Sequence, residues 1–224
     1  MRFTETVPSL RTISTLAALL CCGFSLEAAD GPTRYLAQPS GSLVRIQGTS
    51  TAHDWEMKGT IIGGVVEFAE GVKIDCAQAE VQGVKSGKVP VKVHAIIPVR
   101  SVHSEADHMP EVMDGLMQKA LNEKQFSRIE YILTELTPKA GHVAGKPFDF
   151  DSAGELVIAG VTNKVSFQVT IECTEAGKIK ISGTAPVKMT AYKIDPPAPS
   201  FGLGLMRCGD DVKILFDWAL SEKK

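Results

Sequence analysis

Long stretches of this chain place an apolar residue at every second position. From Val89 to Val99 the odd positions read Val89, Val91, Val93, Ala95, Ile97 and Val99, with Lys92 and His94 on the other parity. The register recurs at Val165, Phe167, Val169 and Ile171, alternating with Ser166, Gln168, Thr170 and Glu172. It recurs again at Val212, Ile214, Phe216, Trp218 and Leu220. A period of two puts one parity on one face of a strand, so each run has an apolar face and a wet face. The Val89 run, fully extended, spans roughly 33 Å at about 3.3 Å per residue. Strands that long must curl around a shared interior or pack on a second sheet.

Further strand material is predicted at Thr33 to Gln38 and Leu43 to Thr51, broken by Pro39-Ser40-Gly41. Trp55 to Phe68 reads as another strand, and its Gly59, Gly63 and Gly64 signal bends or bulges. Shorter candidates lie near Val72 to Ile74 and Ala79 to Val81. After residue 126 the alternation returns at Ile129, Tyr131 and Leu133, at Leu156 to Ile158, and at Ile179 and Ile181. Gly160 to Lys164 has the composition of a hairpin turn.

The period changes once. Val112, Met113, Leu116, Met117, Ala120 and Leu121 recur at helical spacing, behind a Pro110 suited to a first turn. Glu111 and Asp114 sit where a helix N-terminus favours negative charge. Many antiparallel strands with one short helix give an all-β fold. A closed barrel of about eight strands is preferred over a sandwich, because one helix cannot cover a wide sheet. The inward parity is mainly Val, Ile and Ala, and aromatics make up 6% of the chain. Such an interior has room for one small ligand, although an ordinary filled core is equally built from these residues.

Residues 1–29 read as a cleaved secretory signal: Arg2 and Arg11, an apolar run from Ile13 to Leu26, then Ala28-Ala29. The run falls short of the ~20 residues of a membrane span. Cys21 and Cys22 suggest a lipid anchor, but Leu20 stands where a small residue is wanted. Residues 30–224 then form a single domain, exported to a periplasmic or extracellular space. The net charge of −2 gives no reason to expect nucleic acid as a partner. The mature part keeps Cys76, Cys173 and Cys208. An oxidising compartment permits one disulfide among them, and spacing does not select the pair.

Two polar clusters carry candidate chemistry. His53-Asp54-Trp55-Glu56 brings an imidazole and two carboxylates together, types that serve in acid–base or metal chemistry. Adjacent strand residues point to opposite faces, so a turn stabilised by Asp54 and Thr51, with Trp55 as anchor, is the expected role. His103 to His108 holds two histidines and two acids, best read as a solvated loop rather than a zinc site. Gly83 to Lys88 is one residue short of a phosphate loop, with Val89 where Ser or Thr is needed. No nucleophile motif is present, and no metal or cofactor is expected.

The segment from Gly48 to Glu56, reading GTSTAHDWE, resembles an early motif of the YceI-like family of polyisoprenoid-binding periplasmic proteins. The likeness continues in family order through Met113 to Leu121, Leu156 to Thr162, Lys188-Met189-Thr190 with Pro196-Pro197, and Gly209 to Ile214. The resemblance implies a lipocalin-like antiparallel barrel, exported, with a long isoprenoid chain in an apolar tunnel. It implies no catalytic residue. The chain is similar to a branch with His-Asp-Trp-Glu rather than to the better-studied lipid-binding branch.

A hydrocarbon ligand needs only a dry cavity, since each buried CH₂ contributes roughly 0.8 kcal/mol. The expected lining is Val93, Ala95, Ile97, Phe167, Val169, Phe216 and Trp218, with Phe126 and the apolar loop from Phe201 to Met206 near an opening. Met113 and Met117, with Met109, suit an adaptable wall beside that mouth. The expected function is binding or carriage of a quinone or polyprenyl chain, with transient contact at a membrane or membrane protein, and no enzymatic activity. The alternatives are an envelope interaction protein with a filled barrel and, last, a metal or hydrolytic enzyme built on His53, Asp54 and Glu56.

Overall fold

The computed structural model describes residues 1, 31–78, 80–198 and 206–223. The expected leader beyond Met1, and Phe201, lie outside the described residues. The strands are β1 (Thr33–Ala37), β2 (Leu43–Ser50), β3 (Trp55–Gly59), β4 (Gly63–Phe68), β5 (Lys73–Asp75), β6 (Glu80–Gln82), β7 (Val91–Pro98) and β8 (Val102–Ser104). Helix α1 (Pro110–Ala120) follows, then β9 (Arg128–Pro138), β10 (Phe148–Ile158), β11 (Val161–Glu175), β12 (Lys178–Lys188) and β13 (Cys208–Glu222).

The neighbours β1-β4-β7-β9-β10-β11-β12-β13 form a ring that closes where β1 meets β13. Every pairing is antiparallel, so this is the closed eight-strand barrel that the alternation requires. One edge of β13 serves two strands in turn. Its last residues pair with β1, Leu220 opposite Ala37, while Val212 to Asp217 pair with β2, Gly48 to Leu43. The break at Pro39-Ser40-Gly41 makes this division, because Pro39 has no N–H for a ladder and Gly41 takes a positive φ of 91°. Beyond β2 the sheet continues through β3 to β8, leaving the ring as a flap at one end.

Apolar parity points inward along each long strand. In β10 every second residue from Phe148 faces the interior, and Phe148 and Phe150 are fully buried. These rings fill the closed end together with Phe68, Val72, Val89 and Leu136. His142 packs against Phe148 with tilted rings whose centroids are 4.4 Å apart, bringing the loop before β10 over that end. The β5–β6 hairpin lies beside it and is fastened by a Cys76–Cys173 disulfide; Cys208 is free.

Three predicted boundaries are corrected. The Val89–Val99 run is strand only from Val91 to Pro98, followed by a 3-10 turn at Val99–Ser101. Pro90 and Pro98 mark its ends, yet Val89 and Val99 stay buried, so parity outlasts the strand. Trp55 to Phe68 is two strands, since β3 pairs with β2 and β8 whereas β4 pairs with β1 and β7. The Gly160–Lys164 turn shrinks to Ala159-Gly160, with φ of 49° and 75°, a two-residue hairpin turn that already pairs Val161 with Ile158.

The disulfide closes a loop of 97 residues in sequence separation. Loss of that crosslink raises the entropy of the unfolded chain, so a C76S/C173S variant is expected to lose roughly 2–5 kcal/mol of stability. Urea unfolding of the oxidised protein and the variant measures this, and coincident midpoints would contradict it.

Candidate functional site

At the flared end of the ring the β2–β3–β8 flap and α1 enclose a cavity of about 610 Å³. Its floor is Ile46, Ile129, Ile158, Val187 and Ile214, one residue from each of five strands, with Met57 and Met189 beside them. Its roof is the apolar face of α1: Val112, Met113, Leu116, Met117 and Ala120. Met113 and Met117 therefore line a cavity, as the sequence suggests. No residue of α1 is buried, and Val112 remains 43% exposed. A helix with an apolar face along one side normally buries it against a core. Here that face looks largely onto the cavity, with only Met117 and Ala120 packed in part against the core.

Polar contacts add to that partial packing. Asp114 sits on its inner turn, where Oδ1 accepts the Ser104 N–H at 2.6 Å and Oδ2 meets His103 Nδ1 at 2.8 Å. The expected dipole role thus falls to Glu111, in the first turn, and Asp114 is a tether to β8. Just past the helix, the Arg100 guanidinium donates to both carboxylate oxygens of Glu123, at 2.6 and 3.1 Å. That hydrogen bonding holds the Glu123 carboxyl below the usual carboxylate range. His103 and Ser104 belong to β8, which corrects the reading of residues 103–108 as one loop.

The rim is polar, with His53, Asp54, Glu56, Glu105, Asp107, His108 and Arg207 around the mouth. Within the His53–Glu56 motif each side chain with a defined partner is engaged locally. His53 Nδ1 meets the Asp54 carbonyl at 2.7 Å, and Glu56 accepts from Gln47 Nε2. The turn is built by Ser50, whose Oγ accepts the N–H groups of Ala52 and His53, rather than by Asp54. Thr51 Oγ1 accepts the Arg207 N–H at 3.1 Å, tying this turn to the chain entering β13. The Trp55 ring lies across Gly48, where a Cβ would come within 2.2 Å of it, and its Nε1 donates to the Thr49 carbonyl. Among the described residues no three His, Cys, Asp or Glu side chains are placed to hold a metal ion. Burial raises the Cys208 thiol above its ordinary pKa, which keeps this cavity-lining group protonated and a weak nucleophile.

The seven strand residues expected to line a tunnel are placed elsewhere. Val93, Ala95, Ile97, Phe167, Val169, Phe216 and Trp218 surround a second, deeper chamber of only about 90 Å³. Phe167 stands between Tyr131 and Phe216, at ring distances of 5.2 and 6.0 Å, and this aromatic cluster takes up the space. The chamber offers no free polar group: Tyr131 Oη bonds Ser152 Oγ, and Trp218 Nε1 donates to the Ile62 carbonyl at 3.0 Å. Phe126 lines neither cavity; its ring covers the side-chain-free Gly160 at the β10–β11 turn. The floor residues Ile46, Ile158, Val187 and Met189 were missed. Ile158 and Val187 sit at strand ends and Met189 in the turn after β12, where alternation is too short to assign a face; Ile46 lies mid-strand, and its place follows from β2 leaving the ring toward the flap.

The Asp114 tether makes a local prediction. Asp114→Ala leaves the Ser104 N–H without its acceptor, so amide hydrogen exchange is expected to quicken across residues 110–120 while β10 to β12 stay protected. Uniform protection in the variant would contradict the tether. The Arg100–Glu123 pair adds a pH signature of defined sign. A lowered folded-state pKa contributes stability that is full above the ordinary carboxylate pKa and is lost as pH falls through the folded value. Helix protection is therefore expected to drop on acidification in the wild type and to change less in Glu123→Gln; equal acid dependence would overturn it.

The fold has counterparts among known proteins. The YceI-like domain model matches residues 35–220. A solved structure of a polyisoprenoid-binding domain from Saccharophagus degradans, implicated in plant cell wall breakdown, superposes with a TM-score of 0.58 at 14% identity, covering 84% of this chain and 98% of that one. BcnA from Burkholderia cenocepacia superposes with a TM-score of 0.55 at 15% identity, covering 79% and 95%. No curated protein matches the sequence. At these identities the solved structures share the fold, and the domain match over most of the length carries the kinship: the chain belongs to the YceI-like family.

Proposed function

We propose that this protein is an exported carrier that holds an isoprenoid chain, of a quinone or a polyprenyl lipid, in the cavity beneath α1. The observation that carries the reading is the helix with an apolar face and no buried residue, set over a cavity of about 610 Å³. That volume lies within the roughly 300–1,000 Å³ typical of ligand sites. A hydrocarbon placed there completes the burial that the helix lacks. The lipid-binding description of the Saccharophagus degradans domain supports the same class of ligand.

Magnitudes fit this use. At roughly 0.8 kcal/mol per buried CH₂, one five-carbon prenyl unit contributes about 4 kcal/mol at most. Association costs on the order of 4–15 kcal/mol, so two to four buried units, roughly, make binding favourable. The tail lies inward among Met113, Leu116, Met117 and the isoleucine floor, because nothing there satisfies a polar head. The head group stays at the rim among the histidines and carboxylates. Met109, 56% exposed beside the mouth, presents apolar surface for transient contact with the membrane or protein that supplies the lipid.

The leader-like residues 1–29 support export, and the Cys76–Cys173 disulfide suits a periplasmic or extracellular compartment. Organic extraction of purified protein followed by mass spectrometry is expected to recover an isoprenoid, and delipidated protein is expected to take one up. Leu116→Trp, which narrows the roofed cavity with a bulky ring, is expected to cut uptake at least tenfold without changing the circular dichroism of the barrel. Repeated extraction of no lipid, with no uptake of added isoprenoid, would overturn the carrier reading.

A further inference from the structure

We infer that Ile129 and Ile214 form a stop that halts the ligand's hydrocarbon chain at the floor of the large cavity and so sets the chain length the protein rewards. The inference rests on the carrier reading. These two isoleucines line both the large cavity and the deep chamber. They come from β9 and β13, which stand four steps apart in either direction around the eight-strand ring, so they face each other across its diameter.

Strand register puts the boundary at one height. On β10 the division falls between Leu156, in the deep chamber, and Ile158, in the large cavity. On β12 it falls between Ala185 and Val187, and Ala185 pairs directly with Ile214. Both side chains are firmly packed. Ile129 and Ile214 are 3% and 5% exposed, held as firmly as Ile158 on the large-cavity side and Leu156 on the deep side. What lies beyond them, about 90 Å³, is smaller than the roughly 150 Å³ apolar cavity that admits a benzene. A chain that reached it would gain little, so affinity is set by the length that fits above the stop.

The chain's two tryptophans make the test direct, because Trp55 lines the large cavity and Trp218 the deep chamber. In a Trp55→Phe background, Trp218 emission reports on the deep chamber alone. A ladder of linear prenols differing by single isoprene units is titrated calorimetrically and by this fluorescence. With the isoleucines intact, affinity is expected to climb with length to a plateau, and Trp218 emission to stay unchanged at saturation. In Ile129→Ala and Ile214→Ala the plateau is expected to move to a longer prenol, that prenol to bind roughly tenfold tighter than to the parent, and Trp218 emission to respond. Ile129→Val and Ile214→Val give the same shift in smaller measure and guard against loss of fold. A plateau at the same length in every variant, or a Trp218 response with both isoleucines present, would overturn the stop while leaving the carrier. Failure of every prenol to bind the parent would sink the carrier reading and the stop with it.

Discussion

The shape of the binding end follows from how one edge of β13 is divided. A barrel strand normally gives each edge to a single neighbour. Here the chain before β13's partners is broken at Pro39-Ser40-Gly41, so β1 takes the last residues of β13 and β2 takes the rest. Only β1 returns to β4 and closes the ring. The strand that occupies the other stretch leads away through β3 and β8, and the barrel wall opens there. Closure at one end gives a dry, aromatic-filled plug; divergence at the other gives a wide mouth that a single helix must roof.

That roof is held in an unusual balance. Hydrophobic burial ordinarily fixes an amphipathic helix, at about 1.5–3 kcal/mol for each large side chain. At α1 that burial is only partial, through Met117 and Ala120, and it is joined by Asp114 with β8 and Glu123 with Arg100, polar links at the helix and just beyond its end. Links of this kind position a helix while leaving its apolar face available. A ligand that fills the space beneath would add the missing hydrophobic contribution, so occupancy and helix order are thermodynamically coupled. The same economy explains why the deep barrel is nearly solid. Phe167, Phe216 and Tyr131 pack there.

Much of this was legible in the chain. Alternation at Val91 to Ile97, Val165 to Ile171 and Val212 to Leu220 predicts strands and inward faces that the structure reproduces, because a one-residue slip would turn every apolar side chain to water. The helix was equally plain from Val112 to Leu121. Pairing was not. Nothing local in Trp55 to Phe68 tells that its halves join different neighbours, since that depends on strands far away in sequence. The hollow was displaced for the same reason: Val93 and Trp218 do face inward, but three aromatic rings from β9, β11 and β13 meet around them. Whether an inward residue borders space or another side chain is a property of its partners across the ring. The Cys76–Cys173 pairing likewise became visible only once the hairpin was seen to lie against β11.

The central claim is that hydrocarbon occupies the space between α1 and the isoleucine floor. Methyl-labelled methionine NMR with a carbon-13 prenol tests it most directly, because Met113 and Met117 line the roof and Met57 and Met189 the opposite side. The account predicts intermolecular contacts from the prenol methyls to all four methionine methyls and slower exchange of the α1 amides. Bound prenol without contact to any of these methionines, or with contacts confined to the barrel's outer surface, would contradict it.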